Sequence, residues 1–186
     1  MLWNKRKKTK KDKGFTLLEL LVVLSIIGLV AALFFVSYRG IEKEISLNHS
    51  AHKLAQDIRR VQSMAMAAEE VNGDVPEEYK LYINLHGSGP SNKYTLYADF
   101  GNYKEDIESV KLEGITYFDE IKFFAGPPVY ELELSFSPPD PIIKIARLNG
   151  HAPPMYRNEV EIILKYDNDS PQKKIIFNKS GLIEVQ

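Results

Sequence analysis

The chain has 186 residues, 44% hydrophobic and 26% charged, so a real core is possible and wholesale disorder is excluded. The absence of cysteine excludes disulfide frameworks, cysteine–zinc sites and thiol nucleophiles. The formal net charge of −1 conceals an asymmetry, because residues 1–14 carry Lys5, Arg6, Lys7, Lys8, Lys10, Lys11 and Lys13 against Asp12 alone. Everything after Gly14 then holds 17 basic and 24 acidic residues, a balance of −7 that makes it a poor partner for nucleic-acid phosphates.

Next comes an apolar run. Phe15 to Val36 is 22 residues long, with one charge, Glu19, and three other non-apolar residues, Thr16, Ser25 and Gly28. As a helix at about 1.5 Å per residue it spans roughly 33 Å, enough to cross the hydrocarbon layer. The basic flank keeps residues 1–14 in the cytoplasm by the positive-inside rule, so the remainder is exported. Three readings fit this pattern. A cleaved signal peptide finds small residues at Val30-Ala31-Ala32, but the run is too long for one and Glu19 serves it nothing. A plain membrane anchor is the second.

The third reading rests on the residues themselves. Lys13-Gly14-Phe15-Thr16-Leu17-Leu18-Glu19-Leu20-Leu21-Val22-Val23 resembles the prepilin motif of type IV pilins and type II secretion pseudopilins. The resemblance implies cleavage after Gly14 by a prepilin peptidase, N-methylation of the new terminus Phe15, and assembly through Glu19. It also implies an inner-membrane platform protein and a cytoplasmic ATPase as indirect partners.

Physical chemistry supports a special role for Glu19. A carboxylate at the centre of a membrane helix costs about 2.5–3.5 kcal/mol on insertion scales and usually marks function. Glu19 lies only about 6 Å along the axis from Phe15, so its cost is smaller. A free α-amino group on Phe15 would neutralise a neighbouring subunit's Glu19, which makes the acid a registry device. The plain alternative is a polar residue snorkelling to water. Gly28 offers close helix packing, and without a proline at Val36 no kink is expected.

Beyond Val36 the helix turns amphipathic. Leu47, Ala51, Leu54, Ile58, Val61, Ala65 and Ala68 recur at alternating spacings of 4 and 3, ending near Asn72-Gly73-Asp74. The pattern predicts one helix of roughly 55 residues. His49 and His52 sit at i, i+3, a metal-competent spacing, but without a third ligand nearby they are read as solvent-exposed.

From Tyr79 the period becomes 2. Strands are expected at 79–86, 94–98, 130–136, 142–145, 159–166, 174–177 and 182–185, forming an antiparallel meander over the helix. The fold class is therefore α+β, organised as a cleaved leader (1–14), a transmembrane and polymerisation helix (15–36), its amphipathic continuation (37–71) and a β-rich head (72–186). Leu134-Ser135-Phe136-Ser137-Pro138-Pro139, the strand at 159–164 and Lys174 to Ile183 also resemble the C-terminal sheet of H-type pseudopilins and minor pilins.

Asp99-Phe100-Gly101 imitates a kinase metal triplet but lacks the accompanying loops, and is read as a turn. Asp167-Asn168-Asp169 hints at a calcium loop, yet Asn178 stands where an EF-type loop needs glutamate. No Ser/His/Asp arrangement or phosphate cradle is evident, so no enzyme, cofactor or metal is expected. The expected protein is a processed filament subunit, held in the inner membrane with its head exported and in contact with lipid before assembly. Its rivals are a pilus-borne binding module, adhesive or DNA-contacting, and an anchored exported β-domain. Arg59, Arg60, Lys144, Arg147 and Arg157 decide between these: clustered they favour binding, scattered they favour structure.

Overall fold

The computed structural model describes residues 14–86, 91–123, 128–139, 142–149, 152–167 and 171–186, with the side chains of 35–39, 149, 152 and 153 excepted. The basic leader, the 87–90 loop and Asn168 and Asp169 therefore lie outside the described residues. The chain divides into two units, residues 1–41 and 42–186. One helix, α1 (Leu17–Ala67), supplies most of the first and opens the second.

Within the second unit, helix α1 buries Leu47, Ala51, Leu54, Ala55, Ile58, Val61, Met64 and Ala65 along one face. Arg59, Arg60 and His52 occupy the opposite, exposed face. This is the stripe that the 4-and-3 spacing predicts, apart from Ala68, which falls outside the helix. The helix stops at Ala67 because Ala68 takes a left-handed backbone, φ 47°. The Ala68 amide then donates to the Ala65 carbonyl at 3.1 Å, and the Glu69 amide to the Met64 carbonyl at 3.1 Å. That pair of bonds is a Schellman cap. Asn72-Gly73 forms a separate tight turn, both residues at positive φ, closed by mutual bonds between Val71 and Asp74.

Ten strands follow: β1 (Glu78–Asn84), β2 (Lys93–Asp99), β3 (Lys104–Lys111), β4 (Tyr117–Phe123), β5 (Glu131–Ser137), β6 (Ile142–Asn149), β7 (Ala152–Arg157), β8 (Glu159–Lys165), β9 (Gln172–Asn178) and β10 (Ile183–Val185). They make two antiparallel sheets rather than one meander, ordered β3-β2-β1-β5-β6-β7 and β10-β9-β8-β4. The turns joining β8, β9 and β10 give the expected hairpins, but β4 joins them from far upstream and β5 returns to pair with β1.

Both sheets share one core with the helix. Tyr79, Leu81, Leu134 and Phe136 from the first meet Ile162, Leu164, Ile175 and Phe177 from the second, with Leu54 and Ile58. Phe136 and Phe177 rings lie 6.0 Å apart across the sheets. The α+β class is thus as the periodicities indicate.

Candidate functional site

The N-terminal motif begins outside regular structure. Gly14, Phe15 and Thr16 precede the helix, and Phe15 is 79% exposed. Among the described residues, no heavy atom lies within 4 Å of where a Cβ would stand on Gly14, and Gly14 and Phe15 are exposed, non-helical backbone.

Thr16 fixes where the helix starts. Its hydroxyl accepts the Glu19 amide at 3.2 Å and its carbonyl accepts the Leu20 amide at 3.2 Å. Thr16 is thus the N-cap, and Thr16-Leu17-Leu18-Glu19 has the spacing of a capping box. That signal was present in the sequence but hidden, because the apolar pattern runs through Phe15 and Leu17 without a break. Glu19 sits in the first turn, where its carboxylate faces the positive end of the helix dipole.

From Leu17 to Phe34 the helix has a mean hydropathy of 2.8, and none of that window is buried. Ser25 donates its hydroxyl proton to the Leu21 carbonyl at 2.8 Å, so it demands nothing of an apolar medium. Gly28 meets no atom within 4 Å, so no packing within the chain requires it. A helix apolar all round is stable only in lipid or among other helices.

Residues 9–35 match the family model described as the prokaryotic N-terminal methylation motif. The chain carries the signature of type IV pilins and pseudopilins. That motif is the one carried by type IV pilin-like and pseudopilin precursors, and it implies prepilin peptidase processing and assembly with other pilins. The motif and the apolar helix are consistent with a membrane-anchored, exported protein. No curated protein and no solved structure matches the chain.

On the head, charge concentrates on the outer face of the six-stranded sheet. Lys80 of β1 is only 8% exposed. Its ammonium lies 2.8 Å from Asp99, 2.9 Å from Glu78 and 3.4 Å from Glu133. Burial alone would lower its pKa, but the bonds to Asp99 and Glu78 carry it above the usual lysine value. Glu78 and Asp99 are held below the ordinary carboxylate range: burial opposes this, and Lys144 with Lys80 for Glu78, and Lys80 for Asp99, outweigh it. Glu78 stands two residues before Lys80 on the same strand face, but only the strand register brings Asp99 and Glu133 to it, so the sequence did not reveal the cluster.

Several of the other singled-out residues find partners. His49 pairs with Glu113 at 2.5 Å, a carboxylate too distant in sequence to anticipate. Among the described residues no three His, Asp or Glu side chains form a metal-holding group. Arg60 pairs with Glu108 and Lys144 with Glu78. Lys144 and Arg157 line one recess together with Lys179, and Arg147 and Arg157 lie on the paired strands β6 and β7. Asp99-Phe100-Gly101 is indeed a turn: Asp99 accepts the Gly101 amide at 2.9 Å, and Phe100 stacks on Tyr103. Asp167 pairs with Lys43.

Proposed function

We propose that this chain is a subunit of a type IV pilus-like or type II secretion filament, cleaved after Gly14, methylated on Phe15 and assembled through its N-terminal helix. The carrying observation is the union of the methylation motif with an apolar helix, Leu17–Phe34, of which nothing is buried by the chain itself. Such a surface needs lipid first and neighbouring helices afterwards. Glu19 acts at the second stage, where its carboxylate meets the α-amino group of Phe15 on a neighbour. The head stands on the exported side and gives the filament its surface. The acidic balance of the chain after Gly14 favours this structural role over a DNA-contacting one.

The test is the intact mass and N-terminal sequence of the chain expressed with and without a prepilin peptidase. A product starting at Phe15 with one added methyl group supports the reading. A product starting after Ala32, or an uncut chain, overturns it.

A further inference from the structure

Strands β6 and β7 close one side of the six-stranded sheet, and a recess of about 350 Å3 lies between them and the turn after β9. Ile143 and Ile145 of β6, both buried, form its apolar base, and the exposed Ile142 and Tyr156 stand on its wall. Arg157 faces Ile145 in the β6–β7 ladder, so its side chain leaves the sheet on the same face as that base. Lys179 bounds the other side, from the turn between β9 and β10.

The backbone around the recess is already held in place. The Lys179 amide donates to the Asn158 carbonyl at 2.7 Å, and the Asn178 side-chain oxygen accepts the amides of Ser180 at 3.0 Å and Leu182 at 3.1 Å. Gly181, at φ 85°, approaches the helix so closely that a Cβ there would stand 2.8 Å from the Gln62 side-chain nitrogen. A recess with fixed walls orders little on binding, which is what favours a small ligand.

Its charge is of one sign. Among the described residues no carboxylate lines it. Lys144 also contributes to the lining, but alternation along β6 sends its side chain to the other face, where its ammonium pairs with Glu78. Arg157 gives one N–H to the Tyr156 carbonyl at 3.4 Å, and neither Arg157 nor Lys179 has a carboxylate partner among the described residues. Glu159, two residues beyond Arg157, stands opposite Asn178 in the β8–β9 ladder and forms no ion pair with either cation.

Two cations beside an apolar base select their ligand. A guanidinium takes a carboxylate through two parallel N–H···O bonds, and a carbon body then covers the isoleucines. A bare inorganic anion leaves the base unused, and a neutral apolar molecule leaves Arg157 and Lys179 unused. The volume lies near the lower end of the roughly 300–1,000 Å3 of small-molecule sites, which suits one ring or a short chain rather than a two-tailed lipid. The −7 balance after Gly14 disfavours a polyanionic strand.

We propose that this recess binds a small organic carboxylate with an apolar body, its carboxylate held by Arg157 and Lys179 and its hydrocarbon part resting on Ile143 and Ile145. The site does not depend on the filament reading.

The probe is phenylacetate, titrated calorimetrically into the full chain in a nonionic detergent, with phenethyl alcohol and acetate as its apolar and charged halves. One phenylacetate is expected per chain, bound about tenfold or more tightly than either half. Arg157→Gln and Lys179→Gln should each weaken it about fivefold, and the double substitution should abolish measurable binding with the near-ultraviolet circular dichroism unchanged. If the double variant loses that spectrum, the single variants decide. Lys111→Gln, which removes an exposed lysine of β3, should leave binding as it is. Equal binding of the alcohol shows partition into apolar surface or micelle and overturns the proposal. Equal binding of acetate leaves an adventitious ion only and overturns it too. Binding that survives both single substitutions puts the carboxylate elsewhere, and no binding removes the site. A duplex oligonucleotide that displaces phenylacetate, and itself loses affinity with Arg157→Gln, makes this edge a polyanion surface and sinks the small-ligand site.

Discussion

Tyr94 of β2 donates its hydroxyl proton to Asp57 on the helix, where neither side chain meets water to any useful extent. The Asp57 carboxylate also takes the Lys53 ammonium at 2.9 Å, one turn back. The bond fixes the helix against the six-stranded sheet at a single register, since an apolar stripe of similar residues would tolerate sliding. Burial and the Asp57 bond together raise the Tyr94 pKa, so the hydroxyl stays a donor at any ordinary pH. Tyr94→Phe leaves a buried carboxylate short of one partner and is expected to cost about 1–3 kcal/mol. Urea unfolding of the full chain in detergent, followed by circular dichroism, reads it. A cost below a few tenths of a kcal/mol would mean that Lys53 satisfies Asp57 alone.

Lys80 is the second buried charge, and its loss has a pH signature. Lys80→Met strands Glu78, Asp99 and Glu133 on one another, costing about 3 kcal/mol, the low end for breaking a buried pair because each acid keeps some solvent. In the parent chain the folded pKa of Glu78 and of Asp99 is depressed below 4.5 and 3.8. Their contribution is therefore present above those values and lost as pH falls through the lowered ones. In the variant the same acids, desolvated and without Lys80, gain by protonation instead. The stability gap between parent and Lys80→Met should thus be widest near neutrality and shrink below about pH 5. A gap independent of pH would assign the loss to packing rather than charge.

Ala68 offers a stabilising change. It closes the helix in a left-handed conformation, φ 47°, that a β-carbon disfavours by about 1–2 kcal/mol. Ala68→Gly removes that strain while adding freedom to the unfolded chain, for a net gain of about 0.5–1 kcal/mol. The control is Ala65→Gly, buried mid-stripe, which should lose about 1 kcal/mol. Thermal unfolding of both in the same detergent separates the cap from a generic glycine effect.

How far the sequence could be read follows from where each residue's constraint comes from. The helix stripe from Leu47 to Ala65 repeats a local period, so it was legible, as were β1, β5 and β8 with their buried alternate residues. β3 was not, because Lys104-Glu105-Asp106-Ile107-Glu108 is a charged edge strand and a bulge beside Leu96 and Tyr97 breaks the register. β4 loses its alternation to a bulge between Phe118 and Glu120, and β7 carries Pro153 and Pro154, which only an edge tolerates. Gly14, Phe15 and Glu19 were legible as a contiguous motif. The pairs Lys80–Asp99, His49–Glu113 and Tyr94–Asp57 join residues that only the fold brings together.

Glu19 combines two roles that substitution can separate. Its amide belongs to the Thr16 cap, and its carboxylate is the group assigned to a neighbouring Phe15. Glu19→Gln keeps the backbone bond and a side chain that suits the third helical position, and removes only the charge. Thr16→Ala does the reverse: it removes the cap, at about 1 kcal/mol, and leaves the carboxylate in place. Glu19→Gln should therefore be inserted and cleaved like the parent, yet yield at least tenfold less sedimenting filament, a threshold corresponding to about 1.4 kcal/mol per contact. Thr16→Ala should fray the helix start and shift cleavage efficiency, with a smaller effect on assembly per processed chain. Cleavage is read by N-terminal mass and assembly by sedimentation of sheared filaments. If Glu19→Gln assembles normally while Thr16→Ala does not, the acid serves the helix end and not the neighbour, because helix geometry alone would then set the filament.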